Sequence, residues 1–92
     1  MATFSTETLV AVWNKAQVVS GIDYNQRRMD VCGAWIDWSE YGKRDTDKGW
    51  EVDNILAIAN GGGDSLSNLR PLHWKNNAKK SDGALTCPVK AK

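Results

Sequence analysis

Asp53, its neighbour Asn54, and the later Asn68 and Asn77 are the residues of this chain whose types could do chemistry together. A carboxylate and an amide carbonyl are hard oxygen donors. They suit Mg²⁺, which keeps several waters and takes few protein ligands. The residue types alone are weak evidence, so their meaning depends on the elements that carry them. Asp53 and Asn54 fall on a predicted strand, Asn68 on the loop beyond it, and Asn77 about one and a half turns into a following helix. Packed together, those three elements would set Asp53 and Asn77 across a narrow gap.

The strand is read from the alternation in Trp50-Glu51-Val52-Asp53-Asn54-Ile55. Leu56-Ala57-Ile58-Ala59 continues apolar up to Asn60-Gly61-Gly62-Gly63, which predicts a hairpin-like excursion. That glycine run lacks the Gly-Lys-Ser/Thr ending of a phosphate-binding loop, so it reads as a turn. Ser67-Asn68-Leu69-Arg70-Pro71 reads as a turn into a helix, with Pro71 in the first turn and no breaker from Leu72 to Lys80. Gly83 ends that helix.

Upstream, Leu9, Val12, Trp13, Ala16 and Val19 recur at helical spacing. Ser5 is the expected N-cap and Glu7 sits in the first turn, so an amphipathic helix is predicted over about residues 6–20. Between Ile22 and Lys48 the chain offers turns around short elements, and the tail from Ala84 to Lys92 is expected to be extended or loosely packed.

The chain has 92 residues, enough for a single domain (1–92) with a thin core. Its five tryptophans are expected to supply much of that core. Lys and Arg number 12 against 11 Asp and Glu, for a net charge of +1, so bulk charge does not announce a nucleic-acid binder. Any basic surface must be local. Arg70, Lys75, Lys79 and Lys80 form such a flank along the second helix; its two readings are contact with a DNA backbone and a solvated helix face. There is neither a secretory pattern nor an apolar run long enough for a membrane span. The expectation is a soluble cytoplasmic protein, with Cys32 and Cys87 reduced in preference to forming a disulfide.

Gly49-Trp50-Glu51-Val52-Asp53, Asn60-Gly61-Gly62-Gly63-Asp64, Leu66-Ser67-Asn68-Leu69 and the run from Leu72 to Asp82 together resemble the small bacterial and phage HNH endonucleases, over about Met29 to Asp82. The resemblance implies an α+β domain with a ββα-metal (His-Me finger) motif over about residues 49–82 and the N-terminal helix as an addition. It implies Asp53 and Asn77 as ligands of one divalent ion, Mg²⁺ or Mn²⁺ with Zn²⁺ as a further candidate. Asn68 matches the residue that ties the loop and orients the base. Asn54 stands where the family has its general base, a histidine. The implied partner is DNA, with no membrane, and the implied state is a monomer or weak dimer.

Histidine suits that position because its pKa near 6.5 lets it accept water's proton at neutral pH. An amide cannot. His73, the single histidine, is the possible substitute, but it is expected to pack or hydrogen-bond instead. The family's zinc-knuckle slots hold Met29, Cys32, His73 and Asn76, too few good ligands for a closed tetrahedral site. No structural zinc is expected, with Met29 and tryptophans packing there and Cys32 as a buried thiol. The resulting expectation is a metal-dependent DNA endonuclease, impaired at Asn54. Either a parental histidine has been replaced deliberately, the explanation favoured by the intact ligands, or the chain is a natural non-catalytic DNA-binding or interaction module.

Overall fold

The computed structural model describes residues 3–91. Met1, Ala2 and Lys92, the ends of the expected domain and tail, lie outside the described residues. Helix α1 (Thr6–Trp13) leads into strand β1 (Arg27–Met29) and strand β2 (Trp35–Asp37), which pair antiparallel. Strand β3 (Trp50–Asn54) then pairs antiparallel with strand β4 (Leu69–His73), and helix α2 (Trp74–Lys80) follows directly. This is a small α+β domain with two helices and two two-stranded sheets among the described residues.

Ser5 caps α1 as expected, its hydroxyl accepting from the Thr8 amide at 3.1 Å. The helix nevertheless ends at Trp13, short of the predicted residue 20. A second backbone claim explains the difference. Gln17 exchanges both amide hydrogen bonds with Met29, at 2.8 and 3.0 Å, which draws residues beyond Ala16 toward β1 as an extended segment. Val12, Trp13 and Ala16 still reach the core. Apolar spacing thus marked three buried residues, while Leu9 and Val19 are only half-buried, and it overstated the helix.

The turn-into-helix expectation for residues 67–71 is also corrected. Leu69 to His73 form β4, with Pro71 opposite Val52 and Arg70 opposite Asp53. Proline has no amide to give a ladder, but in a two-stranded sheet every strand is an edge, where that loss is tolerated. The helix starts only at Trp74, with the His73 ring as its cap.

The core gathers Val12, Trp13 and Ala16 against Ile36, Trp50 and Leu69. Trp13, Trp38 and Trp50 meet pairwise at 5.4–5.9 Å between ring centroids, and Tyr41 lies 5.0 Å from Trp50. Offset and edge contacts of this kind add to area burial, which compensates for the short chain. Arg28 is buried, its guanidinium 5.6 Å from the Trp13 ring and donating to the Tyr24 carbonyl.

Cys32 and Cys87 are joined in a disulfide across 55 positions of sequence, overturning the expectation of a buried thiol. Bonding depends on whether two cysteines meet in the fold. Here they are brought together. Asp30, 1% exposed, accepts from the amides of Cys32, Ala34 and His73 and from the Asn76 side chain, so the β1–β2 turn is fixed against α2. Asn76 in turn exchanges two hydrogen bonds with the Val89 backbone, and Ala91 donates to Gly33. Of the two expectations for the tail, extended or loosely packed, the second is corrected: residues 84–91 form no helix or strand, and Val89 and Ala91 are fastened. The disulfide and this polar clasp occupy the place that Met29 and the tryptophans were expected to fill.

Candidate active site

β3 and α2 bring three of the predicted residues, Asp53, Asn54 and Asn77, to one cleft of about 500 Å³, lined also by Arg44, Ser81 and Asp82; Asn68 does not line it. The geometry follows from two periodicities. Glu51 and Asp53 are two apart on a strand and so share a face, while Asn77 and Lys80 are three apart on a helix and so share a face. α2 lies across β3 so that Asn77 donates to Glu51 at 2.7 Å and Lys80 reaches Asp53 at 3.2 Å.

Asp53 is 4% exposed and doubly paired: Arg70, its cross-strand partner, donates through Nε at 2.7 Å, and Lys80 Nζ stands by the other oxygen. Lys80 also donates to the Asn54 carbonyl at 3.1 Å. Two of the four cations expected on a DNA-facing flank, Arg70 and Lys80, thus turn inward. Lys75 and Lys79 are exposed, with Lys75 lying 5.3 Å from the Trp74 ring, and neither lines the cleft.

Asn54 donates its amide to the Gly63 carbonyl and to the Asp64 carboxylate, each at 2.9 Å. Asn68 donates to the same Gly63 carbonyl at 2.8 Å and to Leu56 at 3.0 Å, while its own carbonyl accepts from the Leu56 amide at 2.8 Å. Gly63 is therefore a shared acceptor through which the loop residue holds the position of the residue at 54. Gly62 is required beside it, because a Cβ there would lie 1.7 Å from the Leu56 carbonyl oxygen.

Glu51 was not singled out from the sequence, and Arg44 only as a residue that could extend the basic flank; Arg44 lines the cleft and is held there by Glu51. Arg44 forms a two-point ion pair with Glu51 at 2.6 and 2.7 Å. Burial works against the Glu51 carboxylate, but the hydrogen bonds from Arg44 and Asn77 and the charge of Arg44 outweigh it and hold its pKa below the ordinary 4.5. The hydrogen bond to Glu51 likewise raises the pKa of Arg44. The available signal for Glu51 was its strand spacing from Asp53; Arg44, in an irregular segment, offered only its charge.

His73 does not lie on the helix face one turn before Asn77, as the sequence suggested. It ends β4, is 2% exposed, accepts the Lys75 amide on Nδ1 at 3.1 Å and meets the Asp47 carbonyl through Nε2 at 2.7 Å. Both ring nitrogens are committed to the fold.

The Asp53 carboxylate and the Asn77 carbonyl are of the right chemistry for a hard divalent ion, and both residues line the cleft. Asn77 spends its Nδ2 on Glu51, and its Oδ1 has no hydrogen-bond partner among the described residues. Among the described residues, no three His, Cys, Asp or Glu side chains converge as a ligand group, so other oxygens must complete any coordination shell. Likewise, no helix is long and apolar enough to cross a membrane among the described residues. Comparison with family models, curated proteins and solved structures gives no match, which leaves the geometry to carry the functional reading.

Proposed function

We propose that this chain is a DNA phosphodiester-binding domain of the HNH endonuclease type, with a ββα-metal centre whose hydrolytic step is disabled at Asn54. The observation that carries the reading is the joint placement of Asp53, Asn54 and Asn77 on one cleft, with Asn68 and Asn54 sharing the Gly63 carbonyl. Asp53 and Asn77 would hold one divalent ion, Mg²⁺ or Mn²⁺. When bound, such an ion stabilises charge developing on the phosphate and the departing oxygen.

The chain's own residues account for the rest. Asn68 fixes the acceptor that orients residue 54, and Asn54 spends its N–H on that acceptor. Its remaining carbonyl oxygen can position a water by accepting a hydrogen bond but cannot take the water's proton at neutral pH. An imidazole at position 54 could donate one ring N–H to Gly63 and keep the other nitrogen as a base. Lys75 and Lys79 supply exposed positive charge for the DNA backbone on the outer side of α2.

The test is supercoiled-plasmid cleavage by this chain and by Asn54→His, each with Mg²⁺, Mn²⁺ or chelator. The reading expects slow or absent nicking by the first and metal-dependent nicking by the second. No metal-dependent nicking by the histidine variant would remove the nuclease assignment, and loss of DNA binding as well would favour a scaffold for protein interactions.

A further inference from the structure

Asp53 is buried with two cations of the chain itself, Arg70 and Lys80, against its two oxygens. Counting those three groups, the formal charge at the proposed ligand is +1 before any ion arrives. The neighbouring Arg44–Glu51 pair is neutral. Asp64 and Asp82, the remaining carboxylates near the cleft, are exposed, so solvent screens them. A divalent ion approaching Asp53 would therefore meet a carboxylate whose charge is already answered, and a lysine whose side chain is 3% exposed and so weakly screened.

We infer that Lys80 is an internal counter-ion that makes ion loading at Asp53 depend on a phosphodiester. The inference rests on the reading of Asp53 and Asn77 as the ion's ligands. A phosphodiester in the cleft brings the negative charge that the site lacks, together with hard oxygens for a coordination shell that the protein donors leave incomplete. Lys80 can then exchange Asp53 for a phosphate oxygen, which frees the carboxylate. Arg70 stays on Asp53 through the sheet register that sets it opposite. Binding of ion and DNA is thereby mutually reinforcing, and by linkage each must tighten the other by the same factor.

The experiment is Mn²⁺ binding followed by the paramagnetic resonance signal of the free ion, at constant ionic strength. It compares the chain with and without a short DNA duplex, DNA alone as control, and Lys80→Gln in both states. The expected result is Mn²⁺ affinity raised by DNA by roughly 5–150-fold, the usual range of such couplings. Lys80→Gln should bind Mn²⁺ more tightly than the parent without DNA and lose most of the dependence. Equal Mn²⁺ affinity with and without DNA overturns the inference and leaves the metal reading standing; absence of Mn²⁺ binding under every condition overturns both. If Lys80→Gln does not fold, Lys80→Met and the DNA dependence of the unaltered chain decide the matter.

Discussion

Asn76 and Asn77 are adjacent, identical in type and on the same short helix, yet they belong to different parts of the molecule. Asn76 is fully buried, and both ends of its amide are bonded, to Asp30 and to the Val89 backbone. Asn77, one helical step of about 100° further round, faces β3, spends its N–H on Glu51 and lines the cleft. One asparagine closes the clasp that holds the tail and the β1–β2 turn; the other is available to a ligand. Position around the helix therefore decides role where residue type does not.

The same division separates the disulfide-clasped end of the domain from the cleft. At the first, polar groups are spent on the backbone of turn and tail; at the second, charged side chains are paired with one another beside an open cleft. The largest expected effect on stability comes from breaking the cleft's buried pairing. Asp53→Ala leaves Lys80 buried without its carboxylate and should cost about 3–5 kcal/mol in urea unfolding. Asp53→Ala combined with Lys80→Met should recover part of that loss. Additive losses would show that the pair is not coupled.

Next in size is the clasp. Cys32→Ser with Cys87→Ser opens a link spanning 55 positions and should lower stability by about 2–5 kcal/mol, with a matching shift when the unaltered chain is reduced. A smaller effect separates the two asparagines. Asn76→Ala, which removes one of the four donors to Asp30 and leaves the Val89 backbone without its side-chain partner, should cost about 1–3 kcal/mol. Asn77→Ala should cost about 1 kcal/mol or less, because Glu51 keeps Arg44. Equal losses at the two positions would erase the contrast drawn between them.

The smallest effect is in pH. The Glu51 pKa is depressed in the folded chain, so its contribution to stability is present above the ordinary 4.5 and is lost as pH falls through the folded value. Asn77→Ala should move the Glu51 titration upward toward that ordinary value, followed by carboxyl carbon resonances. An unmoved titration would mean that Arg44 alone holds the charge.

Much of the cleft was legible in the sequence because its signals are local. Alternation marked β3, and Asp53 and Asn54 could be placed on it. The Ser5 cap is a short-range contact and was read correctly. The rest depends on partners distant in sequence. The β4 strand was hidden by Pro71, whose first-turn helix preference was overridden by pairing with β3. The disulfide was hidden because Cys87 lies beside Cys32 on a tail held by Asn76 and Gly33, partners distant in sequence. Arg70 and Lys80 read as a basic flank until register set one opposite Asp53 and helix phase turned the other toward it.

The most direct test of the central claim is the rate of supercoiled-plasmid nicking by Asn54→His relative to this chain, in Mn²⁺ and in chelator. The account predicts a metal-dependent gain of about 10²–10⁴-fold, the usual contribution of a positioned general base. Equal rates for the two chains in Mn²⁺, whether both fast or both nil, would contradict it.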